Sequence, residues 1–143
     1  MKNILIVTLV MFGFGLFSCE DPIAVMDKQM MELHNEDMAQ MMEMNKLIEQ
    51  LESWQGELTA DSTEAGMAQK ENLTAALAGL NQANDDMRTW MKDVNGYKEK
   101  MAEMSKDDAL SYLTEKFDAM KEVHEAMGSS MATAKEVLGS KGQ

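Results

Sequence analysis

The sequence predicts an all-α domain, built as an antiparallel three-helix bundle or coiled coil. Three observations carry this. Apolar residues recur at alternating spacings of three and four over most of the chain beyond residue 19, as they do on a helix with one buried face. No stretch alternates with the period of two that a half-buried strand requires. Capping residues stand where each apolar pattern begins.

Composition narrows the classes further. The 143 residues include 25 acidic and 13 basic side chains, a formal net charge of −12. A charge this negative argues against nucleic acid as a partner, because phosphate binding needs clustered Lys and Arg. The single cysteine rules out an internal disulfide framework and any multi-cysteine zinc site. One proline and 45% hydrophobic residues argue against a disordered chain, and the length suits one domain.

Residues 1–18 read as an export signal. Met1-Lys2-Asn3 is a short positive start, and Ile4 to Phe17 is an apolar run of about 14 residues. That suits a signal sequence and falls short of the ~20 residues of a membrane-spanning helix. The run ends in Leu16-Phe17-Ser18-Cys19. This resembles a bacterial lipobox, in which an apolar residue stands three before the cysteine and a small residue just before it. The resemblance implies cleavage after Ser18 and lipidation of Cys19 through a thioether to diacylglycerol, with further acyl (palmitate-type) chains. Each buried methylene adds ~0.8 kcal/mol to anchoring. The alternatives are a plain secretory signal with a stray cysteine, or a membrane anchor.

The mature chain would carry −13, since Lys2 is lost with residues 1–18, and such a surface repels anionic headgroups. Residues 19–22 read as the lipidated N-terminus and its tether. Residues 19–21 reach ~10 Å at most, so the domain is expected close to the bilayer. Glu20-Asp21 resembles the acidic signal that sends some lipoproteins of Bacteroidota to the outer face of the outer membrane. The expected location is the bacterial outer membrane, at its periplasmic face or at the cell surface.

The bundle is expected over residues 23–139. Asp21-Pro22 places a capping residue before a proline at the first turn. The first pattern runs Ile23, Met26, Met30, Leu33, slips near Asp37 to Met38 and Met41, and resumes at Met44, Leu47 or Ile48, Leu51, Trp54 and Leu58. Gly56 to Gly66 reads as the first connection, with a helix cap among Asp61, Ser62 and Thr63. The second pattern, Leu73, Ala76, Leu80, Ala83, Met87, Trp90, Val94, Tyr97, Met101, Met104, is unbroken. Asn95-Gly96 lies inside it, and either kinks the helix or ends it and leaves 97–104 as a separate turn. Ser105 with Asp107 and Asp108 reads as the next cap and acidic first turn. The third pattern is Leu110, Leu113, Phe117, Met120, His124, Met127, Met131, Ala134, Leu138, and residues 140–143 form a tail. Short connections favour an up-down-up bundle. The alternative is a longer coiled coil that pairs with a second copy.

Methionine stands out as a source of chemistry. Fifteen lie beyond residue 18, and both histidines stand among them. Met30, Met31 and Met38 are three or four residues from His34. Met120 and Met127 are four and three from His124. On a helix these spacings share a face, and thioether with imidazole suits Cu(I) or Ag(I). Copper is the one cofactor the sequence suggests. The competing readings are a soft methionine-filled core and sacrificial oxidation to sulfoxide. A di-iron site needs Glu-x-x-His pairs; Glu32–His34 and Glu122–His124 are spaced two apart and do not fit.

Hydrolase and phosphate-binding motifs are absent, so no catalytic site is expected. The acidic pairs Glu36-Asp37, Asp85-Asp86 and Asp107-Asp108 read as solvated surface, and Trp90, Tyr97 and Phe117 as core. Asp61-Ser62-Thr63 resembles the short pattern at which Bacteroidota O-glycosylate exported proteins, with Ser62 as the acceptor.

The stretches Met87 to Tyr97 and Lys100 to Leu113, with Val25-Met26-Asp27-Lys28 and the lipobox, resemble small methionine-rich lipoproteins of Bacteroidota. These often carry the label "viral A-type inclusion protein", which reflects coiled-coil similarity. The resemblance implies the compartment and a helical fold, and no activity. Small periplasmic helical chaperones are an analogy of class only, because their Leu-Thr-x-x-Gln motif does not occur. The expected role is structural or interactive, with an envelope protein as partner and the membrane held through lipid.

Overall fold

The structure, a computed structural model, describes residues 20–58 and 63–141. It contains α1 (Pro22–Glu57), α2 (Glu64–Asp93), α3 (Tyr97–Ala102) and α4 (Lys106–Gly139), and no strand among the described residues. The three long helices have 36, 30 and 34 residues, close to 50 Å each at 1.5 Å per residue. The fold is an all-α helical bundle.

Each long helix starts at a polar cap. The Asp21 carboxylate accepts from the Ile23 amide at 3.4 Å, with Pro22 in the first turn. The Thr63 hydroxyl accepts from Gly66 at 3.0 Å, and the Ser105 hydroxyl from Asp108 at 3.2 Å. These bonds satisfy amides that the first turn cannot pair. The connection between α1 and α2 is shorter than the glycines suggested, since Gly56 lies inside α1 and Gly66 inside α2.

The side-chain pairs between helices set their directions. Asp21–Lys106, Asp37–His124, Glu43–Lys135 and Glu57–Lys141 advance together along α1 and α4, so these helices run parallel. Gln55 donates to Thr74, while His34 lies against Trp90 at the other end, so α2 runs antiparallel to both. α4 packs equally against α1 and α2, which touch each other less. Most of these ion pairs are exposed and contribute ~0–1 kcal/mol each. The bundle is held by its buried stripe: Met30, Met44, Leu51, Leu73, Leu80, Met87, Leu113, Met120 and Met127 are all fully buried.

Two details differ from the sequence expectation, and the break at Asn95-Gly96 takes one of its two expected forms. The apolar spacing of α1 does not slip at Asp37: Asp37 itself occupies the inward position between Met30 and Met44 and is fully buried. It is not solvated surface, and Met38 is 40% exposed. In α4 the buried stripe takes Lys116 and Val123, leaving Phe117 and His124 partly exposed at its edge. The second helix ends at Asp93, and Tyr97–Ala102 is a separate short helix. Gly96 makes that break, with φ of +73°, a left-handed conformation that a Cβ disfavours. The turn still returns Tyr97 to the core.

Candidate functional site

Polar groups inside an apolar bundle need partners, and here they concentrate where α1, α2, α3 and α4 meet near Gly96. Trp90 is the centre. It is 5% exposed, and its indole N–H donates to the Lys116 carbonyl at 2.9 Å. On one side its ring stacks on His34, with centroids 5.3 Å apart and planes at 29°. There a hollow of about 360 Å³ opens, lined by Met31, His34, Trp90, Met91, Tyr97 and Glu99 among others. Both ring nitrogens of His34 are buried and meet no hydrogen-bond partner among the described residues. Met31 and Met91 are partly buried and pack against the core.

One turn further along α1, the Asp37 carboxylate accepts from His124 Nδ1 at 2.7 Å. The Asp37 side chain is 1% exposed and that of His124 37%. The other Asp37 oxygen, Oδ2, has no partner among the described residues. With its N–H on Nδ1 the imidazole satisfies the bonded carboxylate oxygen.

Lys116 is nearly buried, yet its ammonium bonds Asp93 at 2.8 Å and Glu115 at 3.0 Å and lies 5.1 Å from the Tyr112 ring centre. The bond to Asp93 raises its pKa most, burial works against this, and Glu115 adds to it. Tyr97 donates its hydroxyl to Asp27, whose other oxygen meets Lys98 at 3.1 Å. Burial pushes the Tyr97 phenol above its ordinary 10.0, helped by the bond to Asp27 and its charge and offset in part by Lys98.

A group whose pKa is raised on folding contributes stability that is complete below its unfolded value and is lost as pH rises through its folded one. The melting temperature should therefore fall above pH 10, and fall less steeply in Tyr97→Phe, as thermal melts followed by circular dichroism across that range would report. An unchanged slope would place the alkaline loss in Lys98 and Lys116, whose pKa values are also raised.

No family model, curated protein or solved structure matches the chain.

The two methionine–histidine groups fare differently in the fold. Met30, Met120 and Met127 are fully buried in the apolar core. His124 is bonded to Asp37, and Met38 is 40% exposed. Met31 and His34 alone of these residues line the hollow under Trp90. Sequence spacing could not supply Met91, which arrives from α2. The sequence also reads Asp37 as surface; the slip at that residue and the position of His124 on the apolar seam are the only traces of its burial. Cys19 and Ser62 lie outside the described residues. Among the described residues, no three His, Cys, Asp or Glu side chains are grouped to hold a metal, and no helix is long and apolar enough to cross a membrane.

Proposed function

We propose that the chain is a lipid-anchored protein of the bacterial outer membrane, with a structural or interaction role. The observation that carries this is the distance from lipid site to fold. The lipobox cysteine is Cys19, and α1 is capped at Asp21 and begins at Pro22. A lipid on Cys19 therefore holds the base of the bundle within ~10 Å of the bilayer. That base comprises the start of α1, the Gly96 turn, α3 and the start of α4. Asp21, read as half of an acidic export signal, also caps α1 and pairs with Lys106 at 3.3 Å. The net negative charge supports a domain that stands off anionic headgroups and does not lie on them.

An interaction role draws support from the outer surface. Met38 and Met42 stand one turn apart on α1, and Met42 is 81% exposed. Thioethers are soft and adaptable, and exposed ones suit contacts with a protein partner.

The anchor is tested by growing expressing cells with labelled palmitate. Wild type should incorporate label and sediment with membranes; Cys19→Ala should lose both. Label retained by Cys19→Ala would overturn the reading.

A further inference from the structure

We propose that Met31, His34 and Met91, beneath the indole of Trp90, form a site for one soft monovalent cation, Cu(I). The inference stands independently of the lipid anchor. It begins with His34. A neutral imidazole carries one lone pair and one N–H, and here both nitrogens are shut away from solvent without a partner among the described residues. Leaving such groups buried and unpaired is destabilising. A cation bound to one nitrogen relieves that debt for the lone pair.

The other walls of the hollow offer the right companions. Met31 stands three residues before His34 on α1, a spacing that shares a face. Met91 reaches the same hollow from α2. The two thioethers are soft donors that favour Cu(I) over Zn²⁺, Mg²⁺ or Ca²⁺, and imidazole is a ligand that copper accepts beside them. Trp90 adds a ring face already held against His34, and a cation within ~6 Å of such a face is attracted by it. Glu99 also lines the hollow and brings a negative charge. Lys98, which lines it as well, is tied to Asp27.

The second histidine does not offer an equivalent. His124 Nδ1 is committed to Asp37, and its neighbours Met120 and Met127 are sealed in the core.

The test is an anaerobic titration of the full chain in detergent with Cu(I), against a chromophoric Cu(I) chelator. Cys19→Ser is carried in every variant so that no thiol competes. One equivalent should bind. His34→Phe keeps a ring against Trp90 and removes both nitrogens; affinity should fall about 100-fold. Met31→Leu and Met91→Leu conserve volume and should each weaken binding about tenfold. Met38→Leu and Met42→Leu should leave it unchanged. Ag(I), titrated into a Trp54→Phe variant in which Trp90 is the remaining tryptophan, should change its emission with a break at one equivalent. The proposal is overturned if Cu(I) is not retained against the chelator. It is equally overturned if binding survives the three site substitutions, if it depends on Met38 or Met42 instead, or if Ag(I) leaves Trp90 emission unaltered.

Discussion

Trp90→Ala is expected to destabilise the bundle by about 4 kcal/mol, the range for truncating a buried tryptophan. The side chain is nearly buried and belongs to the common apolar core. It also spans the corner: its N–H is bonded to the Lys116 carbonyl on α4 and its face rests on His34 of α1. A second surface hollow, between α2 and α4, has Trp90 in its wall beside Thr89, Ala119 and Val123. With open space on two sides, neighbouring side chains have little material with which to close the gap. Trp90→Phe retains most of the apolar area and loses the hydrogen bond, and should cost about 1–2 kcal/mol. Urea unfolding followed by circular dichroism measures both. A Trp90→Ala cost below about 1 kcal/mol would mean that the corner collapses readily and that α3 contributes little to it.

His124→Ala is expected to cost about 2–4 kcal/mol, although its side chain is more than one-third exposed. The cost arises at Asp37, whose carboxylate is fully buried and would lose the partner at 2.7 Å. Its second oxygen is already without one among the described residues. Removing one member of a buried pair costs far more than the pair is worth, because a charge is left stranded. Replacing both members removes the need. Asp37→Leu with His124→Leu should therefore be close to neutral, or more stable than wild type. The contrast between the single and the double variant is the measurement, read by chemical unfolding as a double-mutant cycle. A His124→Ala cost near zero would mean that water or another donor reaches Asp37.

Most of the fold was legible because helical packing leaves a periodic trace. The stripes Leu73 to Trp90 and Leu113 to Ala134 mark the buried faces of α2 and α4 to within a residue. Caps at Asp21, Thr63 and Ser105 follow from local hydrogen bonding alone. What periodicity cannot express is a polar residue placed inward. Asp37 reads as an interruption and Lys116 falls outside the counted pattern, because each is made tolerable by a residue distant in sequence: His124 for one, Asp93 for the other. The hollow under Trp90 was half legible. Met31 and His34 are close in sequence, whereas Met91 joins them only through the antiparallel return of α2.

The buried carboxylate bears on which alignment of the helices is adopted. A core of Met, Leu and Ala discriminates poorly between packing arrangements, since methionine adapts to many shapes. Sliding α4 along α1 by one heptad would keep apolar residues against apolar residues almost everywhere. It would bring Phe117 or Met131 opposite Asp37 in place of His124, leaving a carboxylate in hydrocarbon. A single buried polar position is known to set register in coiled coils at a cost in stability. On this view Asp37 and His124 act as an index mark. The doubly leucine-substituted chain should keep its helicity and melting point while its core resonances broaden or multiply, as neighbouring registers become populated.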